Sequence, residues 1–216
     1  MDLPLFPLNS VLFPGAALPL HIFEERYQHM IGRCLESDST FGVLLIRSGS
    51  EVGGPAEPFE VGTTARIVRA QQLEEGRLNL VCVGEERFRL LRTVRDDPYL
   101  VGEVEILAST EGEGEAVAEL VAKATALFAE YCRLYLAASN QWSRQVGVPG
   151  DPGELSDFVA TRLGVDPRGK QRLLEELSVR RRLESEIETL SESIVRMTSQ
   201  VAASRAKRWR TLGTMN

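Results

Sequence analysis

The hydrophobic period of this chain changes once, abruptly, and that change bounds what it can fold into. Up to about residue 107 the apolar residues alternate or cluster in short runs broken by Gly and Pro, a strand signature. From about residue 116 they recur at three- and four-residue steps, as on amphipathic helices. Between the two lies 108–115, Ala-Ser-Thr-Glu-Gly-Glu-Gly-Glu, which is small, acidic and glycine-containing. Strands followed by helices read as an α+β chain. The boundary predicts a β subdomain over 1–110 and a helical subdomain over 116–210.

Within the first half, strands are expected at 3–8, 18–23, 41–47, 63–73, 77–83, 87–94 and 100–107, with a hairpin turn around Glu74, Glu75 and Gly76. One helix interrupts them from Glu24 to about Leu35, because Tyr27, Met30, Ile31 and Cys34 recur at helical steps. Many short strands with a single inserted helix predict a compact, partly closed sheet. In the second half, Val117 to Tyr135 form an apolar stripe of about six turns. Asp151-Pro152-Gly153-Glu154 and Asp166-Pro167 read as helix starts, with Asp at the cap and Pro at the first position. A long helix is expected from about residue 178. Its Leu183, Ile187, Leu190, Ile194, Met197 and Val201 step by four and three residues, a seam that could pair two copies of the chain or pack within its own bundle.

Composition removes several classes of function. No run approaches the roughly 18 apolar residues of a membrane-spanning helix, and the apolar opening, broken by Pro4, Pro7, Pro14 and Pro19, does not read as a secretory leader. No membrane partner is expected. Cys34, Cys82 and Cys132 are an odd number, widely spaced among apolar neighbours, which favours a reducing cytoplasm over a disulfide framework. With only His21 and His29 and no paired cysteines, no metal site is expected. The net charge of −6 lies wholly in residues 1–107, where 16 acids face 10 bases. That balance argues against nucleic acid as a partner of the first half, since affinity for phosphates comes from Lys and Arg. The alternative of a nucleic-acid-binding protein rests on the C-terminal helix, where Arg205, Lys207, Arg208 and Arg210 fall in a stretch with no acid after Arg196.

No motif assembles an active site. Gly164 to Gln171 fits the spacing of a phosphate loop, but Gln171 stands where Ser or Thr would hold magnesium, and a helical pattern precedes it instead of a strand. The helix-cap reading of Asp166-Pro167 is preferred. Neither histidine has a nucleophile in a recognisable elbow, and the acidic pairs Glu24-Glu25, Glu74-Glu75, Glu85-Glu86 and Asp96-Asp97 sit at turns or helix starts. No catalytic residue and no cofactor are expected.

Several ordered blocks resemble one family. Pro4-Leu5-Phe6-Pro7-Leu8, Leu12-Phe13-Pro14-Gly15, Pro19 to Glu24 and Arg26-Tyr27 are similar to the opening of the N-terminal, substrate-binding domain of the ATP-dependent Lon protease. Gly62 to Ile67, Val83-Gly84 with Arg87-Phe88, Tyr99-Leu100-Val101, Lys170 to Glu175 and Val179 to Leu183 continue that resemblance in order. It implies a PUA-like pseudo-barrel followed by a helix bundle ending in a long helix. It also implies binding of unfolded or exposed polypeptide segments without hydrolysis, as a stand-alone Lon-domain protein lacking the ATPase and protease modules. Leu12, Phe13, Phe23 and Phe88 are the candidate contacts for such segments.

Overall fold

The computed structural model describes residues 1–37, 40–54, 56–138 and 147–213, with side chains for all of these except 137, 138 and 200–213. In chain order the elements are β1 (Asp2–Leu8), β2 (Ala17–Ile22), α1 (Glu25–Glu36), β3 (Phe41–Gly49), β4 (Ala56–Gln72), β5 (Leu78–Arg95), β6 (Val101–Leu107), α2 (Glu115–Ala138), α3 (Pro152–Arg162), α4 (Pro167–Glu175) and α5 (Val179–Gly213). The chain divides into two compact units, 1–110 with 160–178, and 111–159 with 179–216. The segment 160–178, expected in the helical subdomain, belongs to the unit that holds the strands.

In the first unit the strand order is β2-β5-β4-β3-β1-β6, and β5 also pairs with β6. Five strands thereby close into a circuit, and β2 stands outside it, paired with β5 alone. The pairing of β1 with β3 is parallel and all others are antiparallel. The two strands expected at 77–83 and 87–94 are one strand, β5, running through Gly84, Glu85 and Glu86. The register against β4 shifts there. The Thr64 hydroxyl takes up the slack: it accepts from the Glu86 N–H at 3.0 Å and donates to the Glu86 carbonyl at 3.3 Å. A side chain thus replaces the missing ladder partner for the Glu86 main chain.

The amphipathic spacing of α1 puts Tyr27, Met30, Ile31 and Cys34 into the core with Phe6, Phe41, Ile22, Leu80 and Cys82. A second cluster, Leu3, Leu5, Leu44, Phe88 and Val104, fills the closed circuit. Gly62 lies beside it: an added Cβ would stand 2.3 Å from the Val43 carbonyl oxygen and 2.9 Å from the Phe88 ring. The helix α4 docks where β4 and β5 part, since their pairing begins at Val61 and Arg89. The Gln171 Nε2 donates to the Val61 carbonyl at 2.9 Å, and the Arg87 Nε donates to the Leu174 carbonyl at 3.0 Å.

In the second unit α5 lies along α2. Val117, Ala124, Phe128, Tyr131 and Leu134 of α2 are buried, as are Leu183, Ile187 and Leu190 of α5. The upper part of the heptad seam, Leu183 to Leu190, therefore packs inside its own unit. Ile194 and Met197 are half-buried, and the Val201 side chain lies outside the described residues. A charged cluster is sealed in the same unit: the fully buried Arg182 donates from Nε to the Ser156 Oγ at 3.0 Å, Ser156 donates to the Glu186 Oε1 at 2.8 Å, and Asp157 stands 4.0 Å from the guanidinium.

Two consequences are measurable by chemical denaturation. Gly62→Ala, which must push backbone from backbone, is expected to cost about 2 kcal/mol or more, whereas Gly32→Ala in α1, where an added Cβ meets nothing within 4 Å, is expected to stabilise by about 0.5–1 kcal/mol. Arg182→Leu should cost about 3–5 kcal/mol by stranding buried carboxylates, and adding Glu186→Leu to it should recover part of that loss.

Candidate functional site

The sequence candidates separate once burial is known. Phe13 and Phe88 are completely buried and Leu12 is 4% exposed, so these three are core residues and not contacts. The physical reason is local. The Thr63 hydroxyl donates to the Leu12 carbonyl at 2.6 Å, and Gly84 lets the chain at Phe13 pass so close that an added Cβ would sit 2.4 Å from the Phe13 carbonyl oxygen. The loop after β1 is thereby pinned against the strands with its apolar side chains inward. Phe88 belongs to the cluster inside the closed circuit. Phe23 differs: it follows β2 and is 51% exposed.

Around Phe23 the structure builds an ordered surface. The His21 ring stacks on the Phe23 ring with centroids 6.2 Å apart and an interplanar angle of 27°. The His21 Nδ1 is 2.7 Å from the Asn79 Oδ1, which fixes the imidazole on β2 against β5. The Gln28 Nε2 of α1 donates to the Phe23 carbonyl at 3.2 Å. These residues continue the outer face of β2, where Ala17, Pro19 and His21 are exposed while Leu18, Leu20 and Ile22 turn toward the core.

The outer edge of β2 has no strand partner among the described residues. The Gly84 N–H donates to the Ala16 carbonyl at 3.0 Å, and the alternation of an antiparallel ladder then directs the main-chain groups of Leu18, Leu20 and Ile22 toward β5. Those of Ala17, Pro19 and His21 face outward. They offer the Ala17 and His21 N–H groups and three carbonyls; Pro19 has no N–H to offer. Residue-type reasoning singled out Phe23, but it gave no reason to combine it with His21, Pro19 and Asn79, because that combination depends on the β2–β5 register.

The remaining candidates carry little chemistry. Lys170, the lysine of the phosphate-loop spacing, donates from Nζ to the Thr161 carbonyl at 2.7 Å, and burial lowers its pKa. Asp166 caps α4 by accepting from the Gly169 N–H at 2.6 Å, and Gln171 is buried on Val61, so this stretch is a helix start. Burial pushes the Cys82 thiol up to about 11, with nearby Cys34 adding to the shift, which makes it a poor nucleophile. No group of three or more His, Cys, Asp or Glu with metal-holding geometry occurs among the described residues. Arg205, Lys207, Arg208 and Arg210 fall on the backbone of α5, and their side chains lie outside the described residues. No helix among the described residues is long and apolar enough to cross a membrane.

The architecture is that of an α+β module, a small closed sheet with one strand left open at its margin among the described residues. Residues 2–192 match the family of the ATP-dependent protease La (LON) substrate-binding domain, and the chain belongs to that family. It is 31% identical over 192 residues to Lon protease 2 of Myxococcus xanthus and 30% identical over 195 residues to the Lon protease of Anaeromyxobacter dehalogenans. In both cases the match covers 88% of this chain and 23% of the relative, so the chain spans under a quarter of the length of these proteases. A crystal structure of a Lon N-terminal domain protein from Xanthomonas campestris superposes with a TM-score of 0.65 at 33% identity, covering 86% of this chain and 96% of that one. The N-terminal domain of the Mycobacterium avium complex Lon protease shares the fold, with a TM-score of 0.66 at 18% identity, 88% of this chain and 98% of that one being covered.

Core and surface candidates are separable by experiment. Phe13→Ala is expected to cost about 3–5 kcal/mol. Phe23→Ser should change stability by no more than about 0.5 kcal/mol, as exposed substitutions do; urea unfolding of the two variants checks both.

Proposed function

We propose that the chain is a non-catalytic polypeptide-binding module that holds exposed or unfolded segments of other proteins in a reducing cytoplasm. The observation that carries this reading is the match of residues 2–192 to a substrate-binding domain, together with an open strand edge ending in an exposed aromatic pair on that same domain. Its physical basis is twofold. Main-chain groups on the edge bind any extended chain, because every polypeptide carries the same N–H and C=O groups. Phe23 and the His21 ring then add apolar area, which exposed segments of unfolded proteins seek and folded surfaces seldom offer. Nothing in this arrangement makes or breaks a covalent bond. Cleavage of a held segment is the work of other machinery.

The nucleic-acid alternative rests on the cationic run of α5, and electrostatics separates the two readings. Immobilised full-length chain is expected to retain a reduced, carboxymethylated model protein from low salt up to about 0.5 M, since burial of apolar surface is not screened. A nucleic-acid oligomer should bind weakly and be lost steeply with salt. Retention of the oligomer in preference to the unfolded protein would overturn the proposal, as would release of peptide fragments by the chain alone.

A further inference from the structure

The surroundings of Phe23 carry a charge that says which segments the edge should prefer. Glu24 and Glu25 follow Phe23 directly, and the turn Glu74–Gly76 precedes Leu78, the β5 residue paired with Ile22. Gln28 joins the two: it donates to the Phe23 carbonyl, and its Oε1 lies where a Cβ on Gly76 would be 3.0 Å away. Four glutamates, Glu24, Glu25, Glu74 and Glu75, therefore lie on the two segments that meet at the Phe23 end of β2. Arg26 pairs with Glu24 at 3.0 Å and Arg77 with Glu75 at 3.4 Å. Glu25 and Glu74 are both exposed and have no ion-pair partner among the described residues. A net negative charge thus sits beside an exposed aromatic ring.

We propose that the outer edge of β2 takes an extended, cationic segment, paired antiparallel along Ala17 to His21, with a large apolar side chain on Phe23 and an Arg or Lys against Glu25 and Glu74. The inference rests on the polypeptide-binding reading above and specifies its mode and its client. The antiparallel direction follows from the stronger ladder it makes, and it places the N-terminal end of the segment at Phe23. The negative charge of the first half of the chain, 16 acids against 10 bases, extends the attraction to longer range and hastens encounter with cationic segments. Pro19 sets an upper limit on the grip. It withholds one donor at the centre of the edge, as Pro does on strands that must not pair indiscriminately. The edge therefore binds reversibly and does not zip onto a second copy of itself.

The test uses the full chain and a fluorescent peptide of about eight residues, with Arg and Phe at its N-terminal end followed by alternating Thr and Val. Two companions accompany it: one with Glu in place of Arg, one N-methylated on the alternate amides that would face β2. Anisotropy titrations are expected to show the parent binding at least about 10-fold more tightly than either companion, since each loses charge complementarity or main-chain bonds. Phe23→Ser should weaken the parent about 10-fold, and Pro19→Val, which restores an N–H, should tighten it by about 2- to 10-fold. Equal binding of the N-methylated peptide overturns the edge mode, and equal binding of the Glu peptide overturns the charge preference. If no peptide binds while the carboxymethylated protein is still retained, this inference fails and the broader function stands. If neither is held, both fall.

Discussion

The long strand β5 is the constraint on which the rest of the first unit depends. Its 18 residues pair with β4 on one side and with β2 and then β6 on the other, so one continuous segment both closes the circuit of strands and carries the strand left outside it. Sheets twist as they lengthen, and β5 keeps pairing only by slipping register near Gly84, Leu91 and Val94. Each slip has an identifiable consequence. At Gly84 to Arg87 the Thr64 hydroxyl fills the ladder. Leu91 and Val94, and Val68 on β4, fall at the other shifts and are turned outward, 54%, 44% and 47% exposed. Closure also shelters the chain's backbone, because a circuit has no edge to offer. Among the described residues the outer side of β2 remains open, and that is where the proposed polypeptide contact lies.

The second consequence of β5 is the place of α4. Past Val61 and Arg89 the strands β4 and β5 no longer pair, and a buried carbonyl at that fork needs a donor. Gln171 supplies it from a helix, and Arg87 answers by holding the Leu174 carbonyl. This exchange explains why a helical segment distant in sequence belongs to the strand-rich unit. It also explains the residues that imitate a phosphate loop: Asp166 and Gly169 form a cap, and Lys170 and Gln171 tie the short helix to carbonyls of its own unit.

The periodicity of the chain carried most of the architecture, because burial on one face imposes a period of two on strands and near 3.6 on helices. The α1 stripe, the caps at Asp151 and Asp166, and the turn at Glu74 to Gly76 were legible for that reason. Register was not. A Gly followed by two Glu residues in β5 resembles a turn, and only the hydroxyl of Thr64 across the sheet shows why the strand continues. The heptad steps from Leu183 to Leu190 fit a partner helix equally well in the same chain or in another, and the structure supplies α2. Phe13 precedes Pro14 and Gly15, and Phe23 follows Pro19 by four residues, yet one is sealed by Gly84 and Thr63 while the other is left at the end of an edge strand. Which aromatic is left exposed is decided by tertiary neighbours, and composition cannot encode it.

Engagement of a held polypeptide by the main-chain groups at the outer margin of β2 is the central proposal. Amide hydrogen exchange followed residue by residue, with and without saturating unfolded protein, reports this directly. The Leu18, Leu20 and Ile22 amides are expected to be protected throughout, while those of Ala17 and His21 exchange fast in the free chain and slow at least about 10-fold on binding. Unchanged exchange at Ala17 and His21 under saturation, with protection appearing elsewhere on the molecule, would contradict it.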